Sequence, residues 1–166
     1  MANAQEAPHK RGERPAVSPR DPRLVGWREL LTAHSLLVRR LDRELRAETG
    51  LSMYEYEALL KLAEAPDRRL RMSELASSVL LTRSGLTRLI DRLEEDRLVE
   101  RGECLSDRRG AEAVLTEAGL ARLRSASAVH LRGIETYYFD PVSAEDQETI
   151  GRVMKVVADG VREGAG

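Results

Sequence analysis

The chain holds one cysteine, Cys104, one tryptophan and one phenylalanine in 166 residues. A lone cysteine excludes an intrachain disulfide framework and a cysteine-rich structural zinc site, and it suits a reducing compartment. Aromatics make up only 4% of the residues while charged residues reach 33%. With Leu, Ala, Arg and Glu abundant, that profile predicts a mostly helical protein. Lysine is scarce, since of the 27 basic residues only Lys10, Lys61 and Lys155 are Lys; codon bias explains such an Arg excess as well as function does. A net charge of −1 gives no whole-molecule field to draw in a polyanion, so any affinity for nucleic acid must come from where the charges sit. No run approaches the roughly 20 apolar residues of a membrane span. Met1 to Pro22 lacks the apolar stretch of a signal peptide, so a soluble, cytoplasmic chain is expected. Missing too are a Ser/His/Asp constellation, a phosphate loop and a dinucleotide fingerprint, and His9, His34 and His130 are scattered without ligand spacing. Neither catalysis, a metal nor a cofactor is expected.

What is present is helical periodicity. Residues 1–22 carry Pro8, Pro15, Pro19 and Pro22 with Lys10, Arg11, Arg14 and Arg20 and read as a disordered, mildly basic arm. Residues 23–161 form the folded part. Trp27, Leu30, Leu31, His34, Leu37, Val38, Leu41 and Leu45 recur at three-and-four spacing until Thr49-Gly50 closes a long first helix. Ser52 with Glu55 offers a capping box opening a second helix that stops at Pro66-Asp67. A short extended connection, Arg69–Met72, leads to a helix of barely two turns over Ser73–Val79. Thr82 then caps a helix from Arg83 to about Asp96. Two strands, Leu98–Gly102 and Ala111–Leu115, flank a polar, turn-rich hairpin. A fifth helix from Thr116 keeps Leu120, Leu123, Ser127, His130, Ile134 and Tyr137 on one face until Asp140-Pro141. Ser143 with Asp146 opens a last helix through Ile150, Val153, Val157 and Val161.

Two short helices joined by a tight turn form the supersecondary signal of a helix-turn-helix. Leu75, Val79, Leu81, Leu86 and Leu89 supply its apolar scaffold, with Ala76 small at the close approach and Leu80 where the turn usually has glycine. Arg83, Ser84, Thr87 and Arg88 fall on the first turn and a half of the second helix, and no acidic residue occurs from Thr82 to Ile90. A groove-facing surface requires this, because phosphate repels carboxylates. A solvated polar face would have the same charges. The hairpin weighs against that reading. Asp107-Arg108-Arg109-Gly110 stands at its tip, where an Arg can enter a minor groove and a neighbouring carboxylate can fix its side chain.

Met72-Ser73-Glu74-Leu75-Ala76, Thr87-Arg88-Leu89-Ile90-Asp91-Arg92-Leu93-Glu94, Leu98-Val99-Glu100-Arg101, Asp107-Arg108-Arg109 and Leu115-Thr116-Glu117-Ala118-Gly119 together resemble the MarR family of bacterial transcription regulators, from about Leu24 to Val161. The resemblance implies a mainly α fold: a winged helix-turn-helix lobe with a two-stranded wing at about residues 52–116, and dimerisation helices at about 24–48 and 117–161. It implies that Ser84, Thr87 and Arg88, with Arg83, face bases and phosphates of double-stranded DNA. Arg109 then enters the minor groove, held by Asp107, Arg108 beside it is a further DNA-binding residue, and Arg101 braces the lobe or touches phosphate. It further implies a homodimer that represses by covering a promoter and is released by a small aromatic or phenolic effector. Trp27, His34 and Tyr54 are the candidates to line the effector cavity, against the plainer reading of core and dimer packing. Two other readings stay open: a winged-helix protein-interaction module without DNA, and a redox-responsive regulator acting through Cys104, whose neighbours Glu103 and Asp107 oppose a low thiol pKa.

Overall fold

The structure is a computed structural model that describes residues 18–79, 81–103 and 111–164. The expected arm at 1–22 lies mostly outside the described residues, as do Leu80 and the hairpin tip. The chain divides into two units, Met1–Ser35 and Leu36–Gly166.

In the first unit, helix α1 (Leu24–Thr49) begins behind a turn in which the Asp21 carboxylate accepts the Arg23 N–H at 2.9 Å. Its Val25, Trp27, Leu30 and Leu31 are exposed.

In the second unit, α1 continues with Leu41 and Leu45 buried. Helix α2 (Met53–Glu64) starts with the expected capping box, the Ser52 Oγ accepting from the Glu55 N–H and the Glu55 carboxylate accepting from the Ser52 N–H. Asp42 ties α1 to this start by accepting the Met53 N–H at 2.8 Å. Burial alone would raise the Asp42 carboxyl, but the Arg46 guanidinium and that N–H outweigh it and hold it below the usual carboxylate range. A single turn at Pro66–Arg68, with Asp67 and Arg68 in the left-handed region, reverses the chain.

Arg69–Arg71 is a strand, β1, rather than a bare connection. It pairs antiparallel with β3 (Ala111–Leu115), and β3 pairs on its other edge with β2 (Val99–Glu103). The wing hairpin is therefore the larger part of a three-stranded sheet, anchored at its root by a strand that precedes the helix-turn-helix.

Helices α3 (Met72–Ser78) and α4 (Arg83–Glu95) follow β1. Leu75, Val79, Leu86, Ile90 and Leu93 are all nearly or fully buried and join Leu59 and Leu62 of α2 in one core. Thr82 caps α4, its Oγ1 accepting from the Gly85 N–H at 3.1 Å. The helix ends with Leu98 N–H donating to the Leu93 carbonyl and Arg97 N–H to that of Glu94. This Schellman turn puts Arg97, a non-glycine, at φ 59°.

Helix α5 (Glu117–Ile134) is capped by Thr116, whose hydroxyl accepts from the Gly119 N–H and donates to the carbonyls of Arg97 and Leu98. It widens into a π-helical turn at Glu135–Phe139 before Asp140. Gly133 lets it cross Leu41 of α1, where a Cβ would stand 2.4 Å from the Leu41 Cδ2. The Tyr137 hydroxyl donates to Glu44 and Arg132 to Glu48, both at 2.6 Å. Helix α6 (Ala144–Glu163), capped by Ser143 as expected, buries none of its residues. Ile150, Val153, Val156, Val157 and Val161 are exposed along it.

One core contact carries a pH dependence. The His130 ring of α5 packs 4.7 Å from the Tyr56 ring, and its Nδ1 is buried without a hydrogen-bond partner. Burial holds the imidazole below its ordinary pKa. The unfolded chain therefore takes up this proton first as pH falls, and stability is lost below about 6.5, the ordinary histidine value. Thermal unfolding of His130→Gln, compared with wild type between pH 7.5 and about 5.5, is expected to show a flatter decline. Parallel curves would mean that His130 protonates without cost.

Candidate nucleic-acid interface

Arg83, Ser84, Thr87 and Arg88 are all exposed on the first half of α4. Leu86, Ile90 and Leu93 occupy the opposite face and fix the helix to the core. No hydrogen bond or ion pair holds the Arg83 or Arg88 guanidinium among the described residues, so both charges face solvent. The two hydroxyls are engaged locally: Thr87 Oγ1 donates to the Arg83 carbonyl at 2.9 Å, and Ser84 Oγ lies 3.3 Å from Thr82 Oγ1.

Two of the three carboxylates of the second half of α4, Asp91 and Glu94, are tied down, while Glu95 is exposed. Arg101, on β2 at the root of the wing, binds Asp91 and, at 3.3 Å, Glu94, while its N–H donates to Glu94 at 3.4 Å. One guanidinium thus neutralises two acids one helical turn apart and pins the wing root to α4. On the other side, Arg92 reaches Glu55 of α2 at 3.2 Å. Cationic character is left at the start of α4, and the charges of Asp91 and Glu94 behind it are masked.

A cleft of about 520 Å³ opens between α4, the start of α3 and the wing strands, lined by Arg71, Met72, Ser73, Arg83, Leu86, Thr87, Arg101 and Ala111. It brings together Arg83, Thr87 and Arg101 from the sequence-based set. Ser84 and Arg88 lie outside the lining. Arg71 and Ser73 were not anticipated, although the run Arg68-Arg69-Leu70-Arg71 was available as a signal. Arg92 is absent from the sequence-based set, since nothing near it in the sequence points to Glu55. Asp107, Arg108, Arg109 and Cys104 lie outside the described residues. Trp27, His34 and Tyr54 are exposed, Trp27 and His34 in the first unit and Tyr54 in the second. Among the described residues no cluster of His, Cys, Asp and Glu suited to a metal ion occurs.

A helix pair on a fixed apolar scaffold, a second helix with a cationic, acid-free start, and a strand hairpin pinned beside it define a winged helix-turn-helix transcription regulator. Comparison with known proteins narrows the class. A profile of the MarR family matches residues 49–110. Sco3205 of Streptomyces coelicolor, a MarR family transcriptional regulator solved in complex with DNA, is 39% identical, with 90% of this chain and 92% of that one covered and a TM-score of 0.81. AbsC, a MarR family regulator of the same organism, is 34% identical over 89% of this chain and 99% of its own, with a TM-score of 0.80. The HTH-type transcriptional repressor YetL of Bacillus subtilis is 35% identical over 88 residues, which span 53% of each protein. The chain belongs to the MarR family.

Proposed function

We propose that the chain is a homodimeric repressor that binds a palindromic operator through Arg83, Ser84, Thr87 and Arg88 in the major groove and Arg109 in the minor groove, with Arg108 as a further DNA contact. The observation that carries this reading is the charge division of α4: free guanidinia on its first half, and on its second half Asp91 and Glu94 occupied by Arg101. A surface built for an unspecified protein partner has no need to mask Asp91 and Glu94 beside exposed arginines. That Sco3205 was solved in complex with DNA supports DNA binding, and the name of YetL supports repression.

The lobe at about 52–116 reads DNA, and the helices at about 24–48 and 117–161 pair two copies. The exposed apolar residues of α1 and α6 support that pairing, since a monomer rarely leaves such stripes in water. A small aromatic or phenolic effector acts through Trp27, His34 and Tyr54, and the protein works in the cytoplasm. No described helix is long and apolar enough to cross a membrane.

Two measurements test this. Sedimentation at micromolar concentration is expected to give about 37 kDa, twice the 18.6 kDa chain. Selection from random duplexes is expected to return sequences with two-fold symmetry and half-sites about one helical turn apart. A stable monomer with full affinity for the selected duplex would refute the architecture, and recovery of no common sequence would refute specific reading.

A further inference from the structure

Glu55 is 4% exposed, an unusual place for a carboxylate. Its capping duty does not explain the charge, because glutamine at that position accepts the Ser52 N–H equally well. An unpaired buried carboxylate is costly, so the ion must be held by more than a cap. One oxygen, Oε2, accepts from the Ser52 N–H at 2.6 Å and the Ser52 Oγ at 2.8 Å. The other, Oε1, faces Nε of Arg92 at 3.2 Å. The Arg46 guanidinium of α1, held first by Asp42, also feels the Glu55 charge.

Arg92 lies one turn beyond Arg88, on the same side of α4. Its side chain is 58% exposed. The charge of Glu55 draws the Nε edge of the guanidinium towards α2, which biases its orientation, and its Nη groups remain as donors.

We propose that Glu55 is a positioning residue for DNA recognition: its buried carboxylate aims the Arg92 guanidinium, which contacts a backbone phosphate beside the groove entered by Arg83 and Arg88. The proposal rests on the DNA-binding reading. Glu55 never meets the nucleic acid. It sets the angle at which a cation on the reading helix meets the phosphate, and it registers α4 against the start of α2.

The test is a set of binding isotherms on one selected operator between about 50 and 200 mM salt, with thermal unfolding of each variant alongside. Arg92→Gln is expected to lower affinity about tenfold and to make the salt slope shallower by about 0.9, the loss of one phosphate contact. Glu55→Gln keeps the cap and the cation, so it is expected to unfold near the wild-type temperature, to lose several-fold in affinity and to keep the wild-type slope. Glu55→Gln with Arg92→Gln is expected to bind no more weakly than Arg92→Gln alone, because the carboxylate acts only through that arginine. Arg92→Lys, which retains the charge without the planar fork, is expected to bind between wild type and Arg92→Gln. Additive losses in the double variant would reduce Glu55 to a helix cap, and a wild-type slope for Arg92→Gln would remove Arg92 from the phosphate; either result overturns the proposal. Arg88→Ala separates the two levels. If it relaxes operator preference while the Glu55 and Arg92 variants bind as wild type, only this inference fails. If the wild-type chain binds no duplex, the DNA reading fails with it.

Discussion

Gly119→Ala is expected to destabilise the protein by about 3 kcal/mol, at the upper end for an overpacked site, with a fall in Tm of about 10 °C for a domain of this size. Gly119 sits in the first turn of α5, buried against the end of α4 and the root of the wing. A Cβ there would stand 2.1 Å from the Leu98 carbonyl oxygen and 2.6 Å from the Leu115 Cδ1. The leucine methyl can rotate away. The carbonyl cannot, because it accepts from both the N–H and the hydroxyl of Thr116, at 3.2 and 3.1 Å. Moving it would break the α5 cap and displace the strand that carries Arg101. DNA affinity should therefore fall even at temperatures where the variant stays folded. Calorimetric scans of wild type and variant, followed by operator titration at 20 °C, separate the two losses. A variant as stable as wild type would mean that α5 and the wing root part freely.

Replacement of Arg88 and Arg109, the two arginines proposed to read DNA, is expected to give two different failures. Arg88→Ala is expected to relax preference at one symmetric pair of operator positions, where a bidentate Arg–guanine contact is worth about 1–3 kcal/mol of discrimination. Arg109→Ala is expected to weaken all good operators and erase an A·T preference in the flanking minor groove while the core preference survives, since the minor groove offers a degenerate pattern and holds Arg best where it is narrow. Binding of each folded variant to a panel of single-position operator changes, at fixed salt, distinguishes the patterns. Wild-type affinity and salt slope in both would show that neither arginine meets DNA, and a protein-binding role would lead.

Local features of the fold were legible because they are written in neighbouring residues. Ser52, Thr82 and Ser143 cap the helices that their sequence contexts indicated. The spacing of Leu75, Val79, Leu86 and Leu89 indicated two short packed helices, and the acid-free start of the second helix and the hairpin completed the helix-turn-helix reading. Three residues are too few to show the alternation of a strand, so Arg69–Arg71 passed as a connection until β3 supplied its partner. The partners of Arg101 and Arg92 were hidden for another reason. Asp91 and Glu94 approach Arg101 only because the Arg97 turn folds β2 back along α4, and Glu55 meets Arg92 only because the start of α2 packs beside α4. The cationic half of the site could be read from composition along one helix, whereas the masking of its acidic half required the tertiary fold. Packing also decided the environment of His130, which stood on an apolar helix face in the sequence with nothing to name Tyr56 as its neighbour.

The apolar residues of α6 and the arginines of α4 occupy separate stretches of one chain, and α6 buries nothing on its own. With pairing assigned to α1 and α6 and reading to α4, the division has a genetic consequence. A cell making both wild-type chains and chains with Arg88→Ala would form mixed pairs in which one half-site goes unread, so the defective allele would act dominantly over the normal one. An allele with charged residues at Val153 and Val157 would yield chains unable to enter a pair, leaving the wild-type pairs intact, and would be recessive. The direction of dominance, scored in a merodiploid carrying an operator-driven reporter, would thus map each helix to its task without purifying the protein.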